Sequence, residues 1–254
     1  MMFKNAIVRK PGRNFEQGIS TSKLGKPDYE KTLNQHSDYV KALKKCKLEV
    51  HVLKNNESFP DSTFVEDTAV MNKEFAIVTN LGAQSRKGEE REIRTVLEKH
   101  YNHIESIVNP GTLEGGDVLK VESNYYIGLS PRTNKEGAKQ LKIILKNYDY
   151  SCQMVPLERV LHLKTGLAYI GDNNLVATGD FIDNKIFKDY NIIKVKKKES
   201  YAANCIRVND YILIPEGFNS LKSSLKSLGY QILEINISEF RKMDGGLSCL
   251  SLRF

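Results

Sequence analysis

Leu113-Glu-Gly-Gly-Asp-Val-Leu119 runs on through Lys120-Val121, turns at Glu122-Ser-Asn124 and returns as Tyr125-Tyr-Ile-Gly-Leu129. Two apolar runs around a short polar turn read as a β-hairpin. Beyond it, residues 135–148 place Ala138, Leu141, Ile144, Leu145 and Tyr148 at helical spacing. Residues 151–157 then read as one more strand. The local unit is therefore hairpin, helix, strand.

The unit recurs on both sides. Equivalent segments are Phe64-Val-Glu-Asp-Thr-Ala-Val70, His162-Leu-Lys-Thr-Gly-Leu-Ala168, Ala202-Ala-Asn-Cys-Ile-Arg-Val208 and Gly245-Gly-Leu-Ser-Cys-Leu-Ser-Leu252. Helical patterns follow at 91–101 and 219–228, and closing strands at 103–108, 191–195 and 230–235. The helix is least clear in the third unit. The N-terminus holds the rest of a fifth unit: a strand at 6–9, a helix at 27–43 with Pro27 in its first turn, and a strand at 48–53. Its hairpin partner, 247–252, lies at the far end of the chain. Pairing the first and last strands would close five units into a ring and remove exposed sheet edges. The expectation is an α/β propeller-like fold in one domain, 1–254. The polar stretch 12–25 fits no unit and reads as a flap.

Composition narrows the function classes. The 254 residues are 40% hydrophobic and 27% charged, which argues against disorder, collagen and coiled coil. No apolar run reaches the roughly 18–20 residues of a membrane span. Residues 1–13 lack the apolar core of a secretory signal, so a cytoplasmic protein is expected. The net charge of +7 raises the question of nucleic acid. Most of it is dispersed, and the one dense run, Lys194-Val-Lys-Lys-Lys198, reads as a solvated strand end. With no Trp and no base-stacking signature, no nucleic-acid partner is expected. Cys46, Cys152, Cys205 and Cys249 form no C-x-x-C pair, so neither a zinc ribbon nor a redox motif is expected. His100 and His103 stand three apart without a third ligand nearby, and no metal is expected there.

In a five-unit ring the equivalent segments meet at the centre. That would gather Asp61, Glu66, Asp67, Glu114, Asp117, His162, Asn204 and Cys249. Cys249, after two glycines, is the candidate nucleophile, although a lone cysteine is commonly a small buried hydrophobe. His162 alone among the five histidines heads a repeat segment, and with Cys249 it makes an acid/base and nucleophile pair. Asp67 and Asp117 can also be read as caps bonding local backbone. Five acids in one cavity repel unless a cation enters, and a planar guanidinium suits paired carboxylates. Arg86 and Arg132 follow the hairpins. They read either as surface residues at helix starts or as a clamp for a carboxylate.

Phe59-Pro-Asp-Ser-Thr-Phe-Val-Glu-Asp67, Leu113-Glu-Gly-Gly-Asp117, Leu161-His-Leu-Lys-Thr-Gly166, Ala202-Ala-Asn-Cys205 and Asp244-Gly-Gly-Leu-Ser-Cys249 together resemble the dimethylarginine dimethylaminohydrolase family. The shorter bacterial form is the nearer match, with a similar Ser-Leu-Arg-Phe end and Leu24-Gly-Lys-Pro-Asp28. The resemblance covers nearly the whole chain. It implies the pentein fold, a five-bladed α/β propeller, and hydrolysis of methylated arginines to citrulline. It makes Cys249 the nucleophile, His162 the general acid/base and Glu114 its orienting partner. Asp61 and Glu66 would hold the guanidinium, with Asp67 supporting them. Arg86 and Arg132 would bind the α-carboxylate. Backbone carbonyls of Ile19 and Met243 would take the α-amino group; the family commonly has Leu and Ile there. No cofactor is implied, and a homodimer is.

Two rival readings remain open at this level. One is a sister pentein hydrolase, such as an arginine deiminase or a citrulline- or agmatine-directed enzyme. The other is a non-catalytic ribosome- or RNA-associated protein on the same ring.

Overall fold

A computed structural model describes residues 2–254. It has five three-stranded sheets, each with the same order and sense. In every sheet the middle strand runs antiparallel to its hairpin partner and parallel to the third strand. The sheets are Ala69–Met71, Ala76–Val78 and Ile104–Ser106; Val118–Val121, Asn124–Leu129 and Ser151–Pro156; Leu167–Gly171, Asn174–Ala177 and Asn191–Lys194; and Ile206–Val208, Tyr211–Pro215 and Gln231–Ile235. The fifth combines the chain ends: Leu252–Arg253 pairs with Asn5–Arg9, Ala6 opposite Arg253 and Ile7 opposite Leu252, and Asn5–Arg9 pairs with Glu49–Leu53. The expected pairing of first and last strands is present.

The helices fall where the periodicity placed them, with shifted ends. Glu89–Leu97 buries Ile93 and Leu97, Lys135–Lys146 buries Ala138, Leu141 and Leu145, and Asn219–Ser227 buries Leu221 and Leu225. The first long helix is Tyr29–Lys45, so Pro27 stands before the helix rather than in its first turn. Asp28 is the cap instead, its side chain accepting the Lys31 N–H at 2.9 Å. The third unit has no long helix; its crossover is two 3-10 turns, Gly179–Phe181 and Lys185–Phe187. Of 247–252, only the end is strand; Ser248–Leu250 is a 3-10 turn.

The chain divides into two compact units. One contains the chain up to Phe64 with Gly166–Arg253; the other contains Val65–Thr165 with Phe254. In the first, Tyr39, Leu43, Phe15, Phe64, Phe240 and Leu247 share one core cluster, and Ile170, Val176, Ile212, Ile214 and Leu225 share another. In the second, Phe75, Ile77, Leu113, Ile127, Leu141 and Leu145 form the core. At about 25 cal/mol per Å² of buried apolar surface, such aliphatic side chains contribute roughly 1.5–3 kcal/mol each.

Turn chemistry ties the ends down. Asn209, at φ 53° in the fourth hairpin turn, donates to the carbonyls of Phe3 and Cys46 and accepts the Phe3 N–H. Asparagine tolerates that left-handed conformation and brings donors and an acceptor to buried backbone. The stretch 12–25 begins with a short turn, Phe15–Gln17, whose Phe15 ring packs 5.8 Å from Phe64 and 5.6 Å from Phe240.

Candidate active site

The Val65–Thr165 unit holds seven of the predicted residues, Glu66, Asp67, Arg86, Glu114, Asp117, Arg132 and His162, each in an ion pair or hydrogen bond. Glu66 and Asp67 lie in the turn Val65–Thr68, and Glu114 leads into the turn Gly115–Asp117. His162 precedes the helical turn Leu163–Gly166. Glu114, fully buried, accepts a hydrogen bond at Oε2 with His162 Nε2 at 2.8 Å. Its other oxygen accepts the Gly82 and Ala83 N–H groups at 3.1 and 3.2 Å. Arg132 Nη1 lies 3.6 Å from the same Oε1. A carboxylate held on both oxygens cannot rotate away from the imidazole.

Asp67 is built into the same network from the other side. It accepts Arg86 Nη1 at 2.6 Å and the Gly116 N–H at 2.9 Å. Arg86 is buried and also pairs with Glu89 at 2.8 Å. Gly116 is required by close approach: a Cβ there would meet His162 Cγ and Nδ1 and Asp67 Oδ1, each at 2.9 Å. Asp117, also fully buried, accepts the Leu163 N–H at 3.0 Å and the Ser130 hydroxyl at 2.6 Å, fixing the backbone next to His162. Glu66 holds a cation already, Lys164 Nζ at 2.7 Å.

These contacts set the charges. Burial alone would lower the His162 pKa, but Asp67, the Glu114 hydrogen bond and Asp117 outweigh it and raise the group to about 9. The imidazole is therefore an imidazolium near neutral pH. Burial works against the Asp67 charge, yet the neighbouring His162 and Arg86 cations hold its carboxyl below the usual range. Burial pushes Asp117 up. Asp67, Glu114 and His162 offer three ligand atoms within 4.8 Å of one another, the spacing of a metal site. A cation there would have to break the His162–Glu114 hydrogen bond and sit beside Arg86 and Arg132.

In the other unit, Cys249 sits in the turn Ser248–Leu250, its Sγ accepting the Gly246 N–H at 3.4 Å. Asn204 clamps that turn, accepting the Ser248 N–H at 2.9 Å and donating to the Ser248 hydroxyl at 3.1 Å. A Cβ on Gly246 would come within 2.5 Å of the Asn204 amide carbon, so the clamp needs glycine. Both oxygens of buried Asp61 accept the Ile19 N–H, at 3.1 Å each. Met243, buried, follows the helical turn Ser238–Arg241, and Asp244 after it accepts the Thr21 N–H and hydroxyl. Ser20 donates to the Lys242 carbonyl at 2.9 Å. The 12–25 stretch is thus tied to the residues on either side of Met243.

Sequence reasoning missed three of these partners. Lys164 lies two residues beyond His162 in the quoted motif, where its role as a counter-ion had no signal. Glu89 stands three residues after Arg86, a spacing that does mark ion pairs. The Thr21–Asp244 contact joins segments 223 residues apart and is invisible to local pattern.

Five three-stranded units, each a hairpin with a parallel third strand, and a buried imidazole–carboxylate pair define the class: an α/β protein with the parts of a polar catalytic centre. The family model for N,N dimethylarginine dimethylhydrolase, eukaryotic, matches residues 14–250. The N(G),N(G)-dimethylarginine dimethylaminohydrolase of Pseudomonas aeruginosa is 47% identical over 254 residues, the whole of both chains. That of Streptomyces coelicolor is 30% identical over 255 residues, covering 100% of this chain and 98% of its own. The Pseudomonas enzyme solved as its C249S mutant complexed with citrulline matches at TM-score 0.99 over 100% of both chains. The N-terminal domain of ArgZ, a cyanobacterial arginine dihydrolase, shares the fold at TM-score 0.88 and 20% identity, over 100% of this chain and 97% of its own. The chain belongs to the dimethylarginine dimethylaminohydrolase family. Its fold is the five-unit α/β fold expected from the repeats. Among the described residues no helix is long and apolar enough to cross a membrane.

Proposed function

We propose that this chain hydrolyses N-omega-methylated arginines to citrulline and a methylated amine. The observation that carries the reading is the buried 2.8 Å pair of His162 Nε2 and Glu114 Oε2 in a member of this family. Full-length identity to enzymes of that name supports it. So do relatives studied as a C249S mutant with citrulline and as an H162G adduct with S-methyl-L-thiocitrulline, substitutions that carry the numbers of Cys249 and His162 here.

The chemistry then assigns each residue a part. Glu66 and Asp61 hold the substrate guanidinium, Glu66 exchanging the cation of Lys164 for that of the substrate, with Asp67 supporting the charge. Arg132 and Arg86 meet the α-carboxylate, and the carbonyls of Ile19 and Met243 receive the α-amino group. Cys249 attacks as thiolate, which the bound cation stabilises. The new C–S bond forms on the guanidinium carbon. The C–N bond to the methylated nitrogen breaks as His162 gives that nitrogen its proton. A thiouronium joined to Cys249 remains. Neutral His162 takes a proton from water, the hydroxide adds to the carbon, and the C–S bond breaks as the new hydroxyl loses its proton to solvent, giving citrulline, the Cys249 thiolate and a reprotonated His162. No cofactor takes part in this scheme. A homodimer in the cytoplasm, with no nucleic-acid or membrane partner, completes the proposal.

The test is citrulline release from asymmetric dimethylarginine, monomethylarginine and arginine, by wild type and Cys249→Ser. Turnover of the methylated substrates, lost in the variant, supports the reading. Turnover of arginine alone moves the chain to the deiminase branch. Binding of RNA with no turnover of any substrate overturns it.

A further inference from the structure

The two arginines differ in how they are held. Arg86 is locked between Asp67 and Glu89, at 2.6 and 2.8 Å, with its side chain 6% exposed. Arg132 keeps 17% of its side chain exposed and touches Glu114 at 3.6 Å, beyond hydrogen-bond length. Glu114 is the carboxylate that holds the His162 ring on its other oxygen. One buried carboxylate is thus shared between a loosely held guanidinium and the imidazole.

We propose that Arg132 relays occupancy of the substrate's carboxylate site to the proton on His162 through Glu114. The proposal rests on the reading above that the α-carboxylate meets Arg132. In the unliganded protein the Arg132 charge competes with the imidazolium for the field of Glu114. An anion on Arg132 cancels that competition, so Glu114 binds the imidazolium more strongly. The proton needed by the departing amine is then held most firmly when a complete amino-acid substrate is present. The other charged groups facing the ring do not share this geometry. Asp67 is clamped by Arg86 and Gly116, Asp117 is bonded to Ser130 and the Leu163 N–H, and Lys164 on the histidine's own turn is paired with Glu66.

The test is an NMR titration of the His162 ring in the whole protein. In the ligand-free protein, Arg132→Gln should raise the midpoint by on the order of one pH unit, and Arg132→Lys should restore the wild-type value. Citrulline should raise the wild-type midpoint by a similar amount, and its decarboxylated analogue should not. In Arg132→Gln, citrulline should add nothing further. An unchanged midpoint in Arg132→Gln overturns the relay, as does an equal shift with both ligands. The ligand-free comparison needs no substrate, so it stands apart from the functional reading. Failure of citrulline to bind wild type counts against that reading instead.

Discussion

Glu114 Oε2 meets His162 Nε2 at 2.8 Å while Glu114 Oε1 is held by two backbone N–H groups, so the histidine's partner is fixed before any substrate arrives. The pairing keeps His162 protonated up to about pH 9. The imidazolium donor is present below that value and lost above it. Glu114→Gln removes the charge but keeps an acceptor. The high-pH limb of kcat should move down by at least one pH unit. Activity at neutral pH should fall by ~10²–10⁴-fold, the usual worth of a positioned acid/base. The pair's stability contribution is complete below the unfolded histidine value of 6.5 and is lost as pH rises through about 9. A pH–rate profile of the two proteins decides this. An unmoved alkaline limb would detach Glu114 from the proton.

Gly116→Ala tests the ring position. Its new Cβ would lie 2.9 Å from two His162 ring atoms and from Asp67 Oδ1. The ring must shift by several tenths of an ångström, and misplacement of a reacting group costs about 10²-fold in rate. Thermal unfolding should change much less than kcat. Wild-type turnover in Gly116→Ala would mean that the ring position there is not critical.

The Thr21–Asp244 contact predicts a split in kinetic constants. Asp244 accepts from both the N–H and the hydroxyl of Thr21. Asp244→Ala should loosen the 12–25 stretch, whose Ile19 carbonyl receives the α-amino group in the proposed function. KM should rise by roughly 10-fold, equal to about 1.4 kcal/mol, with a smaller effect on kcat. Steady-state kinetics on dimethylarginine check it, and a pure kcat effect would contradict it.

The surroundings of His36, a histidine outside the site, predict a loss of stability in acid. Burial, then the Lys10 charge, lowers the His36 pKa to about 4, and its Nε2 has no hydrogen-bond partner. A depressed group contributes stability that is full above the unfolded value of 6.5 and is lost as pH falls toward 4. The loss is on the order of 3 kcal/mol. Urea unfolding between pH 7 and 4 should show this slope in wild type and much less of it in His36→Leu. Equal slopes would assign acid sensitivity elsewhere.

The repeat of hairpin, helix and strand was legible because strands alternate with polar turns and three of the crossovers carry a clear apolar stripe. The third crossover was not, since 3-10 turns have no long-range periodicity to read. The helix start was misplaced because Pro27 and Asp28 both carry start signals, and the capping hydrogen bond of Asp28 prevailed. For the site, the residue types at equivalent repeat positions pointed to Glu114, His162, Asp67 and Glu66. Their bonding pattern could not be read. Which carboxylate takes which cation depends on ångström distances, so Lys164 on Glu66 and Glu89 on Arg86 emerge only in three dimensions.

The most direct test of the account is mass spectrometry of acid-quenched turnover with dimethylarginine. The account predicts a covalent adduct on the C-terminal peptide carrying Cys249, absent from Cys249→Ser. An adduct on Cys46, Cys152 or Cys205, or sustained citrulline formation by Cys249→Ser, would contradict it.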